Sequence, residues 1–183
     1  MNFVAKLGLA ALIAAGSFAP ALAQTADAQN TLVITTKTGD IDIALRPDLA
    51  PEHVKRIKEL ANEGFYNGVV FHRVIEGFMA QTGDPTGTGM GGSDKPDLKA
   101  EFSDEPFKRG TVGMARAQNP NSANSQFFIM LADGDFLNGQ YTVVGQVVKG
   151  MENVDKIKKG DAAANGEVEN PDKMVKVSVG GAK

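Results

Sequence analysis

Residues 71–84 read Phe-His-Arg-Val-Ile-Glu-Gly-Phe-Met-Ala-Gln-Thr-Gly-Asp, and the rest of the chain is best read outward from them. Val69 to Ile75 is rich in β-branched and aromatic residues, which suit a pleated, half-buried strand. Gly77 interrupts that run. Phe78 to Thr82 then predicts a second strand, stopped by Gly83-Asp84-Pro85. Alternation along a strand places Phe71, Arg73 and Ile75 on one face of the first, and Met79 with Gln81 on one face of the second. A guanidinium among aromatics, followed by a Met/Gln pair, breaks the apolar-in, polar-out pattern of an ordinary sheet. That break marks a site.

Phe71-His72-Arg73-Val74-Ile75, Gly77-Phe78-Met79 and Gln81-Thr82-Gly83-Asp84 together resemble the signature of cyclophilin-type peptidyl-prolyl cis-trans isomerases. A second match, Ser125-Gln126-Phe127-Phe128-Ile129, lies downstream at the spacing usual for that family. The similarity runs from about Thr31 to Val179, one domain of typical size. Strand counting alone leaves a barrel and an open sandwich both available. The resemblance implies a mainly β protein, a closed eight-stranded antiparallel β-barrel capped by two α-helices. It also implies an enzyme that accelerates rotation about Xaa-Pro bonds in polypeptides, with no metal or cofactor.

Carried over residue by residue, the resemblance makes Arg73 the catalytic donor. Phe78, Met79, Phe128 and Leu137 match the proline pocket, Gln81 the amide that engages the substrate backbone, and Gln126 a polar wall beside it. Ala115, Arg116 and Ala117 match the segment whose main chain pairs with an extended peptide, a mode that needs little side-chain identity. Three positions depart from the pattern of many eukaryotic members. Phe136 stands where they carry Trp, so an indole N–H donor is missing and weak cyclosporin binding is expected. Tyr141 stands where they often carry His, and Arg116 where they carry Asn.

Other readings of these residues are less well supported. A peptide-binding chaperone or adaptor using the same groove is the runner-up, but gripping proline needs the pocket more than the guanidinium. A hydrolase would need serine, histidine and carboxylate grouped by motif, and they are not. His72 falls opposite Arg73 by parity and reads as a buried, hydrogen-bonded histidine. His53, at a helix start, reads as solvated. Two histidines this far apart, in a chain without cysteine, make a poor metal site. Gly83 to Gly92 is glycine-rich, yet no Gly-Lys-Ser/Thr follows and Pro96 interrupts the segment. A flexible surface loop is expected there, not a phosphate cradle.

The first residues predict export. Met1 to Lys6 carries one positive charge, Leu7 to Ala19 is apolar, and Ala21-Leu22-Ala23 has the small-x-small pattern of a signal-peptidase site. The apolar run is shorter than the roughly 20 residues a spanning helix needs. Residues 1–23 therefore read as a cleavable signal peptide, 24–30 as a flexible mature terminus and 31–183 as the isomerase domain. Cleavage before Gln24 leaves no membrane anchor. Loss of Lys6 takes the formal charge from −3 to about −4. Such mild acidity gives no footprint for nucleic acid. Without cysteine, nothing can misbridge in an oxidising compartment, and a periplasmic monomer is expected.

The remaining elements follow from pattern. Leu32–Thr36 and Ile41–Leu45 predict a hairpin about Lys37-Thr38-Gly39-Asp40. Pro51 and Glu52 suit a helix start, Val54, Ile57, Leu60 and Ala61 recur at helical spacing, and Gly64 suits the C-cap. Lys55, Arg56, Lys58 and Glu59 form its expected solvated face. Strands are expected over 111–115, 126–131, 141–148 and 174–179, with a short helix over 151–158. Within 126–131, Gln126 and Phe128 share one face, and Phe127 and Ile129 belong to the core. Lys159 to Pro171 reads as polar surface loop.

Overall fold

The computed structural model describes residues 27–180. The expected signal peptide and its cleavage point lie outside the described residues. Eight strands and two α-helices follow in chain order: β1 (Thr31–Thr36), β2 (Gly39–Leu45), α1 (Pro51–Asn62), β3 (Arg73–Ile75), β4 (Met79–Thr82), β5 (Thr111–Met114), β6 (Phe127–Met130), β7 (Val143–Lys149), α2 (Met151–Asp155) and β8 (Lys176–Val179). They form one antiparallel sheet in the order β3-β4-β6-β5-β7-β2-β1-β8. Residues 28–30, expected to be loose, form a 3-10 turn that the Asp27 side chain caps.

The expected closed barrel is corrected to an open sheet, with β3 and β8 as its two ends. The reason lies in what takes up the edge of β3. Val74 N–H donates to Gly166 O (2.8 Å), Gly160 N–H to Val74 O (2.9 Å) and Val168 N–H to His72 O (3.1 Å). A loop therefore occupies the edge that β8 would need. The segments before the two end strands do meet: Phe71 N–H donates to Asp172 O (2.8 Å), and Gly68 N–H to Met174 O (2.7 Å). The first strand accordingly spans only Arg73–Ile75, not 69–75. Phe71 is fully buried in the main core and does not share a face with Arg73 as strand parity would have it.

Two apolar clusters divide the faces of β4 and β6. Ala80, Phe127 and Ile129 join the main core with Ile34, Ile43, Ile57 and Leu60. Met79, Phe128 and Met130 face the other way, with Phe107, Leu137 and Val143. The alternation of β6 is as expected: one face feeds the core and the other the second cluster. Gly83 (φ +89°) lies against β6 so closely that a Cβ there would come 2.4 Å from Ser125 O. The Ser125 hydroxyl donates back to Gly83 O at 2.7 Å.

Helix α1 buries Val54, Ile57, Leu60 and Ala61 as its spacing predicts; its C-cap is Glu63, not the expected Gly64, which follows in the left-handed region at φ +73°. Two residues of its expected outer face are not outside. His53 is fully buried and Arg56 nearly so. The cause for His53 is Glu101, whose carboxylate accepts from Glu52 N–H (3.2 Å), His53 N–H (3.0 Å) and His53 Nδ1 (2.6 Å). Ala50 supplies no side-chain cap, so a carboxylate from a distant loop satisfies the orphan amides at the positive end of the helix. Burial acts to raise the Glu101 carboxyl, but the His53 contact and these amides outweigh it and hold it below its usual value. Replacing Glu101 with alanine leaves a buried imidazole and two amides without their acceptor. Urea unfolding is expected to lose about 2–3 kcal/mol, with a wild-type midpoint as the contrary result.

Candidate active site

Antiparallel register builds the site. Arg73 on β3 stands opposite Gln81 on β4, and Gln81 opposite Phe128 on β6. Arg73 Nη1 donates to Gln81 Oε1 at 3.3 Å, Gln81 Nε2 to Gln126 Oε1 at 2.9 Å, and Gln126 Nε2 to Gly89 O (3.0 Å) and Gly91 O (2.8 Å). The guanidinium has no acceptor, so Gln81 must present its oxygen to Arg73 and its NH2 to Gln126. Both amide orientations follow from that one charge.

Beside Arg73 lies a cavity of about 130 Å³, lined by Phe78, Met79, Gln81, Phe128, Leu137 and Tyr141 with Ala115 and Arg116. Drug-sized ligands need about 300–1,000 Å³, so this pocket suits one small apolar ring. Phe107 stacks behind Phe128 at 5.8 Å, and Tyr141 meets Phe128 edge-on at 5.8 Å. Arg116 lies over the Tyr141 ring (4.5 Å to its centroid) and donates to the main-chain oxygens of Gln140, Ala117 and Gln118. Burial lowers the Arg73 pKa from its ordinary value, with Tyr141 opposing, but a guanidinium starts so far above neutral pH that the side chain stays cationic.

A second cavity of about 440 Å³ adjoins the first and shares Gln81, Ala115 and Arg116 with it. Ala117 and Gln126 line this larger cavity and not the small one. Phe136 lines neither. It is 66% exposed and packs on Phe78 at 5.4 Å, at the rim. The other nine residues singled out from the sequence border the small pocket.

The glycine-rich loop is anchored, contrary to the expectation of a flexible segment. Asp84 is fully buried, and its carboxylate accepts from the N–H groups of Thr86 (2.8 Å), Thr88 (3.1 Å), Gly89 (2.6 Å) and Gly91 (3.1 Å), and from the Thr86 hydroxyl. These amides turn inward onto a built-in anion, which leaves none of them for a phosphate. His72 is buried beneath the loop as expected; no side chain bonds its ring nitrogens, and the main chain of Val70 is the polar group beside it. Burial pushes its pKa down; Asp84 opposes this and Arg73 reinforces it. Among the described residues no three His, Cys, Asp or Glu side chains gather as metal ligands.

Two contributors escaped sequence reading. Asp84 read as a strand stop, although an acid before Pro85 and alternating Thr and Gly was a cue to side-chain-to-amide bonding. Asn165 lies in the loop read as plain surface. It accepts from Arg73 through both its main-chain and side-chain oxygens. The Asn165-Gly166 pair was the available signal, a left-handed turn with φ of +55° and +81°.

The site is an apolar slot with room for one small ring and a cation at its lip. Comparison with known proteins then places it. Residues 31–179 match the family described as cyclophilin type peptidyl-prolyl cis-trans isomerase/CLD. The chain is 59% identical over an alignment 191 positions long to "Probable peptidyl-prolyl cis-trans isomerase" of Brucella suis, covering 98% of this chain and 97% of that one. Among solved structures, it resembles cyclophilin AquaCyp293 from Hirschia baltica with a TM-score of 0.75 and 27% identity, over 84% of this chain and 74% of that one. It also resembles a cyclophilin-type isomerase of Cryptosporidium parvum, solved in the presence of the dipeptide Ala-Pro. That match has a TM-score of 0.75 and 28% identity, over 83% and 99% of the two chains. The chain belongs to the cyclophilin family and is a peptidyl-prolyl cis-trans isomerase.

The Asp84 anchor carries a pH signature. Burial acts to raise this carboxyl, but the Thr86, Gly91 and Gly89 donors outweigh it and bring it to about 2, below the ordinary 3.8. A depressed acid stabilises the fold fully above its unfolded value and loses that contribution as pH falls toward its folded value. Stability is thus expected to fall by about 2 kcal/mol between about pH 5 and pH 2 on this account alone. Acid-dependent urea melts of Asp84→Asn should lack that limb; identical limbs would refute the assignment.

Proposed function

We propose that Arg73 is the catalytic residue and that the small pocket receives the proline ring of a polypeptide. The observation that carries this is a charged N–H donor held at the mouth of a cavity that admits one small ring. Resonance resists rotation about the peptide C–N bond with a barrier near 20 kcal/mol. In the twisted transition state the nitrogen regains its lone pair. A donor aimed there binds the twisted form better than the planar one, and only that difference accelerates rotation. One preorganised donor contributes about 3–4 kcal/mol, roughly a hundred- to thousandfold. The remainder comes from Phe78, Met79, Phe128 and Leu137, which grip the ring while its acyl partner turns.

The larger cavity would take the residues on the acyl side, with the main chain of Ala115 to Ala117 pairing an extended peptide and Gln81 and Gln126 as polar walls. Phe136 would contribute only from the rim, and without an indole N–H cyclosporin would bind weakly. The reported Ala-Pro dipeptide in the Cryptosporidium parvum relative supports a proline-containing substrate. The leader-like residues 1–23 support export, hence action on exported polypeptides in the periplasm during their folding, and the protein would act there as a monomer.

Catalysed cis/trans exchange on a short Xaa-Pro peptide, followed by NMR, tests the assignment. Arg73→Ala is expected to lose about a hundred- to thousandfold in rate while largely keeping peptide affinity. Wild-type binding without accelerated exchange would leave only a peptide-holding module. The wild-type rate should also be flat from about pH 6 to 9, since a guanidinium does not titrate there. A sigmoid with a midpoint in that window would contradict the assignment to a guanidinium.

A further inference from the structure

We propose that Asn165 is a positioning residue that sets which edge of the Arg73 guanidinium faces the peptide; this rests on Arg73 being the catalytic donor. Asn165 closes a 3-10 turn over Ala162–Ala164 and sits in the left-handed region at φ +55°. Its main-chain oxygen accepts from Arg73 Nε at 2.9 Å, and its Oδ1 accepts from Arg73 Nη2 at 3.0 Å. One residue thus supplies both acceptors for the Nε/Nη2 fork. The fork is the geometry a carboxylate usually fills. Here both oxygens are neutral, as is Gln81 Oε1 on the third nitrogen, so these contacts leave the positive charge uncompensated. With the back edge occupied, Nη1 is turned toward Gln81 and the pocket.

The loop that carries Asn165 is registered to the strand that carries Arg73. Val74 N–H donates to Gly166 O, Gly160 N–H donates to Val74 O, and Val168 N–H donates to His72 O, on both sides of Arg73 in sequence. Asp161 closes the turn from within: its Oδ1 accepts from Ala163 N–H and its main-chain oxygen from Gly166 N–H, each at 2.8 Å. Contact this close needs glycine. A Cβ on Gly166 would lie 2.4 Å from Ile75 Cγ1, and one on Gly160 would lie 1.9 Å from Gly166 O. The clamp and the guanidinium it holds are therefore parts of one rigid edge. An arginine without it could swing through several side-chain torsions away from the pocket.

The test is Asn165→Gly, which tolerates the left-handed backbone and keeps the carbonyl but removes Oδ1. Catalysed exchange at saturating Ala-Pro peptide, peptide Kd and the thermal midpoint are measured in parallel. The saturated rate is expected to fall about tenfold, the rate equivalent of one hydrogen bond to a charged group. Kd and the thermal midpoint should stay at wild-type values. Asn165→Asp, which restores an acceptor, should recover a rate closer to wild type than the glycine variant. In an Arg73→Lys background, Asn165→Gly should have no further effect, because the residue it positions is gone. A wild-type rate in Asn165→Gly, or the same tenfold loss in the Arg73→Lys background, would overturn the proposal while leaving Arg73 catalytic. A full wild-type rate in Arg73→Lys alone would remove the reading of Arg73, and this inference with it.

Discussion

A guanidinium partly withdrawn from water must have its N–H groups met, and in this protein neutral oxygens meet them. Asn165 takes one edge and Gln81 the other. The second contact propagates. Gln81 is forced to offer its NH2 to Gln126, and Gln126 in turn bonds the carbonyls of Gly89 and Gly91. The amides of that same loop are held by Asp84. The glycine-rich loop is therefore fixed from two sides, its carbonyls by the polar row and its N–H groups by a buried carboxylate. The wall of the larger cavity and the aim of the arginine belong to one hydrogen-bonded system.

The apolar half of the site comes from the same strands. In β4 and β6 one face completes the main core and the other builds the pocket, so Phe127 and Phe128, adjacent in sequence, serve different purposes. The cavity has aromatic walls, and Phe107 stacks behind Phe128 to back them. On the proposed mechanism, the charge beside it needs no proton transfer to act. Stabilising the site and stabilising the fold are largely the same task here.

Much of this was legible in sequence, and the exceptions have a common cause. Parity along short strands put Met79 with Gln81 and set Phe127 apart from Phe128, because alternation is local. Helical spacing found the buried stripe of α1 for the same reason. Parity failed for Phe71, since the chain leaves the ladder before Arg73 to pair with residues 172–174. His53 read as solvated because its partner, Glu101, lies 48 residues away. Asn165 is 92 residues from the arginine it holds. The open sheet in place of a closed barrel has the same origin: loop 160–168 takes the edge of β3, and nothing in its polar composition announces that. Resemblance to the family named the pocket residues, but it did not reveal how the arginine is aimed.

The central claim is geometric, and a high-resolution structure with an Xaa-Pro peptide bound tests it most directly. The account predicts the proline ring among Phe78, Met79, Phe128 and Leu137. It also predicts an Arg73 Nη donor within about 3.5 Å of the prolyl nitrogen, with both Asn165 contacts retained. A ring seated elsewhere, or an arginine turned away from that nitrogen, would contradict it.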